Sequence, residues 1–229
     1  MEQFVRISGV AAPLMRANID TDLLIPSKEM TGTGKEGYGE KLLAPWRYLT
    51  PLEAERQQDV LLDDTLVDAS LQRIENPDFV LNKVPFRQSV ILIAGENFGS
   101  GSSREMAVWA LRQFGFRCVI APSFGAIFRN NCFRNGVLPV VLPAAEVQKL
   151  ANEAEAEEGL VLTVDLTECR IFRPDGTGLE FTVPPNDRNM LLEGLDAIGV
   201  TLKRRGAIEA FQAADRIARP WIWAHSPAG

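Results

Sequence analysis

The 229-residue sequence is poor in the residues that most often carry chemistry. It has one histidine, His225, close to its end. That speaks against a Ser-His-Asp triad and against a histidine-rich metal site. Its three cysteines, Cys118, Cys132 and Cys169, are widely separated and form no CxxC pair. An odd count without pairing suits a reducing cytoplasm, where single cysteines pack as small hydrophobes. No metal is therefore expected in this chain. No apolar run approaches the length of a membrane span. The opening Met1-Glu2-Gln3 has no basic region, and the apolar stretch from Val10 to Met15 is broken by Pro13, so no secretory signal is expected. There is no basic stripe either, since Lys203-Arg204-Arg205 is short. With a formal net charge of -6, nothing favours nucleic acid or a membrane surface as partner.

What remains is an ordinary folded composition, 46% hydrophobic and 24% charged. The length allows one large domain with an appendage. Phe4 to Ala12 reads as a strand. Asn18 to Asp22 reads as a polar turn, in which Asp20 and Asp22 either support a site or make an Asx-type turn. Residues 27–41 hold four glycines and three lysines, Lys28, Lys35 and Lys41. That composition predicts a flexible loop, either a surface linker or a lid over an anion. A short helix is expected at 42–49 and another at about 65–73. Val90 to Ala94 is a continuous apolar run, as in a strand buried on both faces. Ala107, Ala110, Leu111 and Phe114 then make an apolar stripe on a helix expected over 103–114. Cys118 to Ala121 is a second buried strand, so a parallel βαβ unit is predicted around residues 90–121. Further expectations are a helix at 124–133, a strand at 137–142 and a helix at 144–158. Strands at 160–166 and 177–183 and helices at 187–193 and 207–215 complete the prediction. The fold class is α/β.

Between strand and helix lies Asn97-Phe98-Gly99-Ser100-Gly101-Ser102-Ser103-Arg104-Glu105. Ser102 and Glu105 have the spacing of a capping box. A helix beginning there would aim its first amides and its dipole at an anion. Gly99 and Gly101 let the backbone approach a ligand closely. Ser103 adds a hydroxyl, and Arg104 a planar fork that grips a carboxylate with two hydrogen bonds. Carboxylate, phosphate and sulfate all suit this much, and so does a merely well-capped helix. The segment is not a dinucleotide fingerprint, because Arg104 stands where the third glycine belongs. It is neither a Walker A loop nor a nucleophile elbow.

The chain resembles the 3-isopropylmalate dehydratase small-subunit family, equivalent to the swivelling last domain of aconitase. The stretches that carry the likeness run in order. They begin with Asn18 to Asp22, Gly37-Tyr38-Gly39, Trp46-Arg47-Tyr48 and Phe79 to Asn82. Asn97 to Leu111, Ala121 to Phe124, Ile127-Phe128 and Asn130 to Phe133 follow. Asn135-Gly136, Leu138-Pro139 and Leu192 to Leu202 close the series. The resemblance implies a single β/β/α-type swivel domain over 1–215, including the loop at 27–41, with 216–229 as a C-terminal tail. It implies a hydro-lyase whose large aconitase-like partner subunit holds a [4Fe-4S] cluster, with no cofactor in this chain. It implies Ser102 as the base that takes a proton from a small dicarboxylic acid. Ser103, Arg104 and Gly101 would bind substrate, with Lys28 and Lys35 as further cationic anchors. Asp20, Asp22, Gly99 and Ser100 would support them.

The pattern departs in four places. The family usually has cysteine at Ser100, histidine at Met106 and proline at Val108, and Arg-Thr-Gly where Lys35-Glu36-Gly37 stands. The last change lies in the loop that contacts the variable substituent of the substrate. A methylmalate/citraconate or dimethylmalate hydratase, or an anion-binding module without activity, is therefore kept beside the isopropylmalate reading. The tail with Trp221 and Trp223 is either disordered or a partner contact.

Overall fold

The computed structural model describes residues 1–30, 34–50, 53, 67–68, 73–156 and 159–223. Its spine is the first strand, β1 (Arg6–Leu14). On one side β1 pairs in parallel with β4 (Ile91–Ala94), which pairs in parallel with β5 (Cys118–Ala121) and that with β6 (Leu138–Val141). On its other side β1 pairs antiparallel with β7 (Val161–Asp165), then β8 (Arg170–Phe172) and β9 (Gly178–Glu180). The seven-stranded order is β6-β5-β4-β1-β7-β8-β9. This is a mixed α/β fold with a parallel half and an antiparallel half.

The parallel half follows from its sequence. Alternate residues of β1, β4 and β5 enter opposite cores, as the strand period requires. Ala12, Leu14, Leu92, Ala94, Val119 and Ala121 face one layer with Ala107, Ala110 and Leu111. Ala11, Ile91, Ile93, Cys118 and Ile120 face the other with Val147, Leu150 and Ala154. The helices are therefore Met106–Phe114 on one face and Ala144–Ala156 on the other. The expected strand-helix-strand unit is present, with β4 and β5 in parallel register. Gly115, at φ +128°, stops its helix, and the Gly115 amide donates to Leu111 and Arg112 carbonyls.

Other expectations need correction. Val67–Asp68 (β2) and Arg73–Ile74 (β3) form a two-stranded antiparallel pair where a helix at 65–73 was expected; residues 65–66 and 69–72 lie outside the described set. The helix expected at 42–49 spans Ala44–Arg47. A strand not expected from the sequence, β8, lies between the two expected at 160–166 and 177–183, and Asp175-Gly176 makes the turn that joins it to β9. β8 is three residues long, too short for its alternation to register. A helix at Ala197–Leu202 was not expected; the Asp196 carboxylate caps it by accepting from the Gly199 amide at 2.7 Å. The helix expected at 207–215 runs Arg205–Ala218 and is followed by Pro220–Trp223, so the chain stays helical past 215.

Candidate functional site

The turn after β4 is built by backbone pairing with two other loops at the same end of the parallel strands. The Asn18 amide donates to the Glu96 carbonyl at 2.9 Å, the Gly99 amide to Ile19 at 2.7 Å, and the Thr21 amide to Ser100 at 2.9 Å. On the opposite edge the Phe98 amide donates to Ser123 at 3.1 Å and the Gly125 amide to Phe98 at 2.9 Å. The segment 97–100 is thus bridged to 18–21 on one side and to 123–125 on the other. It lies past the carboxyl ends of β1, β4 and β5, where open parallel sheets gather ligands. Asn97 sits at φ +55° and donates through Nδ2 to Asn18 Oδ1 at 2.8 Å. Gly99 has φ +70°, and a Cβ there would lie 2.1 Å from Cγ of Phe128. Only glycine lets the turn lie this close to that ring.

The capping box does not form. The helix begins at Met106, Glu105 precedes it without a side-chain cap, and Glu105 Oε1 accepts from Asn135 Nδ2 at 2.8 Å. Ser102 turns instead toward Thr21, 81 residues away, with 2.9 Å between their hydroxyl oxygens. The Ser102 amide also donates to Thr21 Oγ1, at 3.1 Å. Two hydrogen bonds to one buried side chain displace the local cap that the spacing offered. The residues expected to cradle an anion therefore lie in the turn itself, ahead of the helix that begins at Met106.

The structure brings Gly99, Ser100, Gly101, Ser102, Ser103 and Arg104 together with Asp20 and Asp22. Ser102 and Ser103 are exposed at the surface of the turn. Arg104 Nη1 is paired with the Asp22 carboxylate, and its Nη2 donates to Ser27 Oγ at 3.1 Å. The Asp22 side chain is 59% exposed, so the pair is largely solvated and contributes little stability. It orients the guanidinium, whose own side chain is 22% exposed. Asp20 is the N-cap of the Thr21–Leu24 helix, its Oδ1 accepting from the Leu23 amide at 2.8 Å, and it also bridges to Ser100 of the turn. Asp20→Ala is expected to cost about 1 kcal/mol. A thermal melt should then show a midpoint lower by roughly 2–4 °C.

Lys28 and Lys35 stand apart from this cluster. Lys28 is exposed, next to the Ser27 that holds Arg104. Lys35 Nζ lies 5.2 Å from the centroid of the Trp109 ring, and its carbonyl accepts from Gln113 Nε2. Its described contacts are with the Met106–Phe114 helix rather than with the turn. Thr31 to Thr33 of the loop lie outside the described residues. Sequence reasoning missed Thr21, Ser27 and Asn131, whose Nδ2 donates to the Ser103 carbonyl at 3.4 Å. Each acts across a long sequence separation; Thr21 and Asn131 fall within stretches that carry the family likeness, and Ser27 has no signal in the sequence.

Among the described residues, no three His, Cys, Asp or Glu side chains are grouped to hold a metal ion. Burial pushes the Cys118 and Cys132 thiols well above their ordinary value, Cys132 further by its nearness to Cys118. Such thiols stay protonated and do not offer the thiolates that an iron-sulfur cluster requires. His225 lies outside the described residues. The described residues do not fit a cluster of their own.

Known proteins give the site its context. The aconitase C-terminal domain family model matches residues 1–145, and the LeuD_N model matches residues 148–185. A 3-isopropylmalate dehydratase small subunit from Cupriavidus necator is 50% identical over 223 residues, which cover 97% of this chain and 98% of that one. The protein of the same name from Hahella chejuensis is 47% identical, with the same coverage. A crystal structure of 3-isopropylmalate dehydratase from Methanocaldococcus jannaschii is 23% identical with a TM-score of 0.58, covering 91% of this chain and 99% of that one. At that identity it speaks for the fold alone, and the fold agrees. The serine-rich turn, the aconitase-type domain and near-complete identity coverage converge: the chain belongs to the 3-isopropylmalate dehydratase small-subunit family.

Proposed function

We propose that this chain is the small subunit of a two-chain hydro-lyase that interconverts 2-isopropylmalate and 3-isopropylmalate by removing and re-adding water, in leucine biosynthesis. The observation that carries this reading is 50% identity to a curated small subunit across nearly the whole of both chains. The geometry of the turn supports it. Ser102 is exposed in the turn, with Ser103 and Arg104 directly after it. The substrate has two carboxylates, and Arg104 with Ser103 and the Gly101 backbone is suited to hold one of them. Ser102 Oγ then takes the proton from the carbon that loses hydrogen. Its electron pair forms the double bond as hydroxide leaves.

The partner is a large aconitase-like subunit. It carries a [4Fe-4S] cluster, which supplies the Lewis acidity that loss of hydroxide needs. The small chain closes the other side of the cleft, with residues 1–215 as its domain, 27–41 as the loop facing the substituent, and 216–229 as a tail. In this reading Lys28 and Lys35 serve as further cationic anchors reaching in from that loop. The assembly works in the cytoplasm on a small diacid.

Anaerobic co-expression with a large subunit from the same organism tests this reading. The expected result is one brown complex that converts 2-isopropylmalate to 3-isopropylmalate. Methylmalate and dimethylmalate are assayed in parallel, because Lys35-Glu36-Gly37 departs from the usual loop. Turnover confined to one of these shorter diacids overturns the isopropylmalate assignment. A complex inactive on all three overturns the enzyme.

A further inference from the structure

We propose that Thr21 is the positioning residue for proton transfer at Ser102: its buried hydroxyl donates to Ser102 Oγ and holds that oxygen in its charged, proton-accepting form. The inference rests on the reading of Ser102 as the base of the dehydration.

A hydroxyl offers one donor and two acceptor positions. The Ser102 amide, which can only donate, occupies one acceptor position of Thr21 Oγ1 at 3.1 Å. The other described hydrogen bond of Thr21 Oγ1 is with Ser102 Oγ, at 2.9 Å. In the neutral pair either hydroxyl can be the donor, and Ser102 Oγ is the described acceptor within reach of the Thr21 hydrogen. When Ser102 loses its proton to solvent, only this direction remains possible. The bond then becomes charge-assisted and roughly doubles in strength. A serine hydroxyl left to itself keeps its proton far above neutral pH, so a base at this position needs such a donor.

Placement makes the donor effective. Thr21 is 1% exposed, so water does not compete for its hydroxyl from behind. Its own amide is tied to the Ser100 carbonyl at 2.9 Å, and it opens the helix that Asp20 caps. The hydroxyl thus reaches Ser102 through backbone bonds on both sides and does not reorganise as charge develops. Ser102 itself is exposed, which leaves the opposite side of its oxygen for substrate. In the step, the carbon-bound hydrogen passes as a proton to the Ser102 oxygen. The C–H electron pair becomes the new double bond, and the C–O pair leaves with hydroxide. The Thr21 hydrogen stays on Thr21 throughout.

The test uses the assembled two-chain enzyme. Thr21→Val keeps the shape and removes the donor. It is expected to lower kcat by roughly a hundredfold with KM unchanged. The acid limb of its kcat profile should move to higher pH, because the charged serine has lost its stabilising donor. Thr21→Ser keeps the donor and should restore most of the rate and the original profile. Wild-type kcat in Thr21→Val, or a loss without a displaced pH profile, overturns the inference. So does Thr21→Ser behaving like valine, which remains decisive if the valine chain does not assemble. These results are read against an active wild type. A wild-type complex that does not turn over isopropylmalate overturns the functional reading, and the inference with it.

Discussion

Ser102→Ala in the assembled enzyme is expected to lower kcat by about 10²- to 10⁴-fold, the range that a positioned general base contributes. The fold should survive it. Ser102 is exposed, and the alanine keeps the amide that donates to Thr21 Oγ1. The Thr21 hydroxyl loses one partner and keeps another. Gel filtration of the complex and steady-state kinetics on 2-isopropylmalate check both halves of the expectation. Full assembly with activity within a few-fold of wild type would remove Ser102 from the proton-transfer step. A loss confined to KM would instead make it a binding group.

Gly99→Ala should be the most damaging single methyl group in the site. The added Cβ would lie 2.1 Å from Cγ and 2.3 Å from Cδ1 of Phe128, at a backbone φ of +70°. Phe128 is buried at 1% exposure and packs edge-on against Phe98 at 5.5 Å, so the ring cannot step aside cheaply. Left-handed backbone and overpacking together cost roughly 2–5 kcal/mol. For a chain of this size the melting midpoint should fall by about 5–20 °C. Gly176→Ala separates the two terms. Its φ is +82° but nothing lies within 4 Å of the added atom, so only the conformational term applies. It should cost about 1–2 kcal/mol and leave activity intact. Equal losses in the two variants would mean that the ring contact adds nothing.

The parallel half of the fold and the glycine-rich turn that follows β4 were legible because both write themselves into local sequence. A four-residue strand buried on both faces has to be apolar at every position, as Ile91–Ala94 is. A turn at φ +70° and +93° has to carry glycine, as at Gly99 and Gly101. The start of the following helix was not legible. Ser102 and Glu105 satisfy the spacing of a local cap, but each finds a stronger partner far along the chain, Thr21 and Asn135. The same holds for β8, whose three residues gain their extended shape from β7 and β9 rather than from any alternation of their own. The role proposed for Ser102 comes from family likeness; spacing alone leads only to an expected anion cradle.

The departures from the family pattern can now be placed. Ser100 contributes its backbone to the pairing with Thr21, and a carbonyl does this whatever side chain it carries. Val108 is fully buried in the core of its helix. Met106 opens that helix and packs against the same core.

The position of β1 also sets an order of events during synthesis. The spine of the sheet leaves the ribosome first, yet Ser8 meets Thr163 on β7 across a separation of 155 residues. At about 5–20 residues per second, that partner arrives roughly 10–30 s later. Met1 and Phe4 wait longer still, for the carbonyls of Gly194 and Leu191. Through that interval one edge of the nascent β1 is without its final neighbour, so a chain stopped before β7 would carry the site-bearing loops on an unfinished, adhesive sheet.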